Sequence, residues 1–279
     1  MFTWRGPNRL GIQSLLLLMI GFAFMPIHAQ SLIERIVSVT LPGELKQQGV
    51  LSVYGDHPKP EKLLVIVSGH PGVTRPYIDQ TGKIQTKQNG NFLVRSRQFM
   101  ISNKVALLLL DCRSDFFDTC NDQYQASAQR TLDVLKLVDS VKGLYPSIGE
   151  VWAVSTSRGA VSTAGFLKHA EKSFSGVIHT ASTFSKATDQ GLDFGPYKNT
   201  PQFLVHHRDD PCVITLYSDA YWVSKKWKIP LIAVEGGSGF RGQKCQAFTQ
   251  HGFAGMEAQV GAAILYLVEN GQPKSLLIK

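Results

Sequence analysis

The sequence predicts an α/β protein whose mostly parallel sheet is flanked by helices. Three observations lead there. Short apolar runs recur along the chain, helical patterns lie between them, and 279 residues with 43% hydrophobic and 18% charged content suit one large globular domain.

The apolar runs are Leu63 to Val67, Val105 to Leu110, Val151 to Val154, Gly176 to His179, Phe203 to Val205 and Leu231 to Val234. Each is brief and bounded by polar or turn residues, as strands buried on both faces are. The clearest helix places Leu132, Leu135, Val138 and Val141 on one stripe; a second helix follows Gly159, and a third runs from about Gly255 to Asn270, with Gly271 as its stop. From Ser31 to about Tyr54, the alternation of Ile36, Val37, Val39 and Leu41 predicts antiparallel strands at one edge of the sheet. No repeat or Pro/Gly/Ser-rich linker divides the chain after residue 29, so residues 30–279 are expected to form one domain.

Residues 1–29 read differently. Arg5 and Arg9 precede an apolar run from Leu10 to Met25, and Ile27-His28-Ala29 ends on a small residue, the pattern of a cleaved signal peptide. A retained membrane anchor is the alternative, but about 15 residues is short for a span, and Pro26 closes the run. Export to the periplasm or the medium is therefore expected. Removing the two arginines lowers the net charge from +8 to +6. The remaining Lys and Arg are scattered, with Lys225, Lys226 and Lys228 densest, and no motif points to nucleic acid.

Cys112, Cys120, Cys212 and Cys245 all lie in the mature part, and an even number in an exported chain fits disulfides, with three connectivities open. Zinc is the weaker alternative, since no CxxC or HExxH spacing accompanies them. No cofactor or metal is expected.

Val151-Trp-Ala-Val-Ser155-Thr156-Ser157-Arg158-Gly159-Ala160 runs from an apolar strand through a tight turn into a helix. It resembles the nucleophile elbow of the α/β-hydrolase superfamily, usually G-x-S-x-G, with Ser155 standing where the first glycine is usual. That resemblance implies the α/β-hydrolase fold and Ser157 as nucleophile. A serine hydroxyl needs a base, and the base needs a partner that fixes its tautomer; the superfamily supplies them in the order Ser, Asp or Glu, His. Phe203-Leu-Val-His206-His207-Arg208-Asp209-Asp210 is an apolar strand ending in two acids. Counting along the superfamily's H-x-x-x-D stretch selects Asp210, with Asp209 as the alternative. His251, after the last apolar run and before the terminal helix, takes the place of the base. Among the other histidines, His28 falls in the leader, His57 and His169 in a loop and a surface helix, and His179, His206 and His207 at strand ends, where structural hydrogen bonds are the ordinary role.

The resemblance also implies two oxyanion donors: the backbone N–H of Arg158, and an N–H from the loop Ser68-Gly69-His70-Pro71-Gly72. Pro71 has no N–H, so His70 is the expected donor. Against these positions, a Cys212–Cys245 bridge would tie the acid loop to the histidine loop, and a Cys112–Cys120 bridge would close a short loop at the same edge of the sheet. Only about 20 residues separate the strand near His179 from the one near Phe203, too few for a large cap, so the site is expected to be open, bordered by the segment Val73 to Gly90. The expected substrate is a small-molecule or envelope-derived ester. A peptidase, thioesterase or acyltransferase on the same triad, and a noncatalytic envelope binding protein on the same scaffold, are the other readings.

Overall fold

A computed structural model of the chain describes residues 1–3, 32–55, 57–184, 194–195, 197 and 199–279. The leader expected over residues 1–29 lies, from residue 4 on, outside the described residues, as does part of the connection between the strands near His179 and Phe203.

Nine strands form one sheet: β1 (Leu32–Thr40), β2 (Lys46–Tyr54), β3 (Lys62–Val67), β6 (Val105–Leu110), β7 (Glu150–Thr156), β8 (Gly176–Thr180), β9 (Gln202–His207), β10 (Leu231–Val234) and β11 (Leu277–Ile278). Their spatial order is β1-β2-β6-β3-β7-β8-β9-β10-β11. The β1–β2 and β2–β6 pairs are antiparallel and every other pair is parallel, so the expected antiparallel edge is present. Between β3 and β6, β4 (Tyr77–Ile78) and β5 (Ile84–Gln85) make a separate small hairpin. The short β11 adds an edge that its two residues do not announce in the sequence.

Strand periodicity explains the two layers. Leu64, Ile66, Val105, Leu107 and Leu109 pack with α1 (Phe92–Arg95) and α6 (Glu257–Asn270) on one face. Their neighbours Leu63, Val65, Val67, Ala106, Leu108 and Leu110 pack on the other, against α3 (Ala128–Leu144) and Phe166 of α4 (Ala160–Ala170). Successive side chains point to opposite faces, so a run that is apolar throughout feeds both cores. Each fully buried Leu or Ile contributes about 2 kcal/mol. A third cluster joins α4 to α5 (Tyr217–Trp227) through Val161, Leu204, Ala220 and Val223.

Two helices repay comparison with their sequence patterns. α6 ends as expected: Gly271 takes φ 72°, and its N–H returns to the Leu267 carbonyl at 2.8 Å. In α3 the expected stripe is rotated. Leu132 is 55% exposed, and the buried row is Val134, Leu137, Val138 and Val141. Steps of three residues advance 300°, so a row at strict i+3 spacing spirals away from a fixed core face, whereas mixed steps of three and four stay on it. Among the described residues, no helix is long and apolar enough to cross a membrane.

Candidate active site

The site lies beyond the carboxyl ends of the parallel strands, where open α/β sheets place their ligands. β7 occupies the middle of the sheet and ends at Thr156. Ser157 follows with φ +52°, a left-handed conformation that costs a side chain of its size and holds the hydroxyl clear of both strand and helix. The turn is closed by contact. A Cβ on Gly159 would lie 2.7 Å from the carbonyl oxygens of Val67 and Ser68, and one on Gly69 would lie 3.1 Å from Ser157 Cβ, so the loop after β3 sits directly on the elbow.

Ser155, the departure from the usual glycine, fits because its hydroxyl has somewhere to go. Fully buried, it hydrogen-bonds Thr163 Oγ1 in α4 at 2.9 Å, and that hydroxyl reaches His179 Nδ1 at 3.3 Å. His179 Nε2 lies 3.1 Å from Gln202 Oε1. Burial lowers the His179 pKa to about 4, so the ring is neutral.

Asp210 and His251 meet across 41 positions of sequence. The imidazole Nδ1 donates to Asp210 Oδ2 at 3.0 Å, and both side chains are buried. Asp209 is exposed, and its N–H donates to His207 Nδ1 at 3.0 Å, so the acid that faces the histidine is Asp210. His251 sits in the turn Gln250–Gly252, where Arg95 Nη2 donates to the Gly252 carbonyl at 2.6 Å and pairs with Glu257 at 2.9 Å. Ser157 and His251 line one open cavity of about 1040 Å³, together with Gly69, His70 and Arg158. The hydrogen bonds His251 makes among the described residues are to Asp210, Thr215 and Thr249, and none joins it to Ser157. Such contacts commonly tighten when substrate binds.

Sequence reasoning did not single out the residues that brace these groups. Thr215 Oγ1 donates to Asp210 Oδ2 at 2.8 Å and lies 3.0 Å from His251 Nδ1, so one hydroxyl holds acid and base together. Gln88 accepts from Ser68 Oγ at 2.6 Å and donates to the Gly69 carbonyl at 3.1 Å, which pins the loop over Ser157. The segment Val73 to Gly90 thus touches the site through Gln88. Fully buried Asp111 fixes the start of that segment, taking the N–H of Thr74 at 2.8 Å and pairing with Arg75 at 2.8 Å. Arg158 is also engaged: its Nε and Nη2 grip Asp122 at 2.9 and 2.5 Å. No local motif marks these residues, since each is defined by partners that lie between 5 and 37 positions away.

His206 lies behind the acid. It is fully buried, and Ser182 N–H donates to its Nε2 at 3.0 Å, which puts the ring proton on Nδ1. Burial lowers its pKa to about 3.

The cysteine sulfurs fall into two pairs at bonding distance, Cys112 with Cys120 at 2.04 Å and Cys212 with Cys245 at 2.08 Å. Cys212 N–H donates to Asp210 Oδ1 at 2.9 Å, so the second pair reaches the acid itself. Cys120 N–H donates to the Pro71 carbonyl at 2.9 Å, which brings the first pair against the loop bearing His70. Among the described residues, no group of three or more His, Cys, Asp or Glu is gathered as a metal site.

No family model matches the chain, and no curated protein matches it in sequence. Solved structures do match in shape. A protein of unknown function from Agrobacterium tumefaciens, described as a candidate α/β hydrolase, superposes with a TM-score of 0.57 at 16% identity, over 86% of this chain and 98% of that one. Est1E from Butyrivibrio proteoclasticus gives 0.54 at 14% identity, over 83% and 96%. XC6422 from Xanthomonas campestris, described as an α/β serine hydrolase without a lid, gives 0.54 at 14%, over 87% and 96%. Likeness at these identities carries architecture, and together with the sheet order and the position of the elbow it establishes that the chain has the α/β-hydrolase fold.

Proposed function

We propose that the protein is an exported serine hydrolase that cleaves a carboxylic ester through an acyl-enzyme on Ser157. The observation that carries this reading is the 3.0 Å Asp210–His251 pair opening on the same cavity as a serine held at φ +52°. Asp210 fixes the imidazole with its proton on Nδ1, leaving Nε2 free to take the Ser157 proton as Oγ attacks the carbonyl carbon. The oxyanion of the tetrahedral intermediate is met by the N–H groups of Arg158 and His70. Its collapse expels the alcohol, protonated by His251; water then attacks the acyl-enzyme by the same path in reverse, and the acid leaves.

The open cavity, with no large cap among the described residues, favours small or surface-exposed esters, an arrangement like that described for the lidless Xanthomonas protein. Two cysteine pairs at bonding distance favour an oxidising compartment. N-terminal sequencing of protein recovered from the producing cell is expected to begin at Gln30; an intact Met1 end would remove the export reading.

A fluorophosphonate probe tests the chemistry. It is expected to label Ser157 in the wild type and not in Ser157→Ala, whose ester turnover drops at least 1000-fold. Labelling that survives the substitution sinks the assignment.

A further inference from the structure

We infer that the cleft beside Ser157 is built for an ester of a polyhydroxylated, uncharged molecule, an O-acylated carbohydrate in chemical class, an inference that rests on the hydrolase reading above. Of the five carboxamides in the cavity wall, Gln88, Asn91, Asn121, Gln123 and Gln246, three are oriented by their own loops: Asn91, Asn121 and Gln246. In each, the amide oxygen is already taken by a backbone N–H: Asn91 Oδ1 by Leu93 at 3.1 Å, Asn121 Oδ1 by Tyr124 at 2.8 Å, and Gln246 Oε1 by Gln243 at 3.0 Å. Fixing the oxygen fixes the NH2 group opposite it. None of the three NH2 groups donates to an acceptor among the described residues, and that of Asn91 lies 3.6 Å from where a Cβ on Gly69 would stand, beside the oxyanion loop. Asn91 is half-buried and Asn121 and Gln246 are exposed, so the wall offers pre-oriented donors that can exchange water for the oxygen acceptors of a ligand.

Charge narrows the ligand. Arg158, the cation nearest the nucleophile in sequence, is held by both of its bonds to Asp122, so the pair presents little net charge to an anionic substrate. The large hydrophobic side chains of the wall are Phe92 and Ile214, and Phe92 is 1% exposed. Hydroxyl and ring oxygens of a sugar supply several neutral acceptors within one small molecule, which is what the donor set requires.

The test compares two acetate esters of similar size on the purified protein, methyl 6-O-acetyl-glucopyranoside and cyclohexylmethyl acetate. The second keeps the six-membered ring and the ester and removes the other oxygens. With three hydrogen bonds of ordinary net strength, kcat/KM for the sugar ester should exceed that for the cyclohexyl ester on the order of 100-fold. Asn91→Ser and Asn121→Ser each keep a cap acceptor for the local N–H, and Gln246→Glu keeps the Gln243 contact; each removes a donor. The ratio of the two kcat/KM values is expected to fall about fivefold in each variant. A denaturation midpoint and fluorophosphonate labelling of Ser157 check that every variant is folded and reactive. Equal rates for the two esters with Ser157 still labelled, a ratio that none of the three variants moves, or rates that climb with acyl length in a p-nitrophenyl ester series would overturn the inference alone. No turnover of either ester, with Ser157 unlabelled, would overturn the hydrolase reading and this inference with it.

Discussion

The two sides of the cleft are held by different forces. At Ser157 the restraint is steric: backbone carbonyls of Val67 and Ser68 stand where a Gly159 side chain would go, and Gly69 lies against Ser157 itself. At Asp210 and His251 the restraint is directional: Thr215, the Cys212 N–H and the Cys212–Cys245 pair hold two irregular loops in register. The position of Ser157 thus follows from a strand–turn–helix geometry that neighbouring residues dictate. The Asp210–His251 pair must be assembled from separate loops, and a covalent tie is the device that offsets their freedom.

The largest expected effect breaks that tie. Cys212→Ser with Cys245→Ser opens a loop of sequence separation 33, worth about 3 to 4 kcal/mol in the chain-entropy model, and should lower the urea midpoint accordingly. Cys112→Ser with Cys120→Ser opens a separation of 8 and should cost about 2 to 3 kcal/mol. Midpoints in the opposite order would mean that the acid and histidine loops are held by their packing instead.

On the steric side, Gly159→Ala forces a methyl against two carbonyl oxygens at 2.7 Å. Overpacking of that kind costs roughly 2 to 3 kcal/mol, and moving the oxyanion loop off Ser157 should lower kcat about 100-fold. Wild-type kcat in this variant would show that the elbow yields without moving the loop.

A pH-dependent effect comes from the two buried histidines behind the site. His179 and His206 stay neutral in the folded chain, with pKa values lowered from 6.5 to about 4 and about 3. Between those values and 6.5 the unfolded chain binds more protons, so stability is full above about pH 6.5 and is lost as the pH falls. At pH 5 the loss should be about 2 kcal/mol for each histidine, read from urea midpoints at pH 7 and pH 5. A midpoint that does not move over that range would mean that both rings are already charged in the fold.

The smallest effect sharpens the directional side. Thr215→Val removes the hydroxyl shared by Asp210 and His251 and should lower kcat about tenfold with KM unchanged, while Thr215→Ser should restore the rate. Failure of serine to rescue would place the role in the methyl group rather than the hydroxyl.

The apolar runs specified the strands because burial on both faces demands a local composition, and the fold set their order in the sheet. The elbow was legible because a left-handed serine needs small neighbours within two residues. The same superfamily pattern pointed to Ser157, Asp210 and His251, and the structure brings Asp210 and His251 within 3.0 Å. Two adjacent acids, by contrast, look alike in sequence, and only the fold buries Asp210 and leaves Asp209 exposed. The face of α3 was misplaced because spacing gives a helix its period but not its phase against the sheet. Thr215, Gln88, Asp111 and the Arg158–Asp122 pair could not be seen, since each acts through partners between 5 and 37 positions away. The sequence by itself determined most of the elements and the turn that carries Ser157. The tertiary structure decided which side chains face one another, because hydrogen bonds reach only about 3 Å and depend on loops whose paths are set by the whole fold.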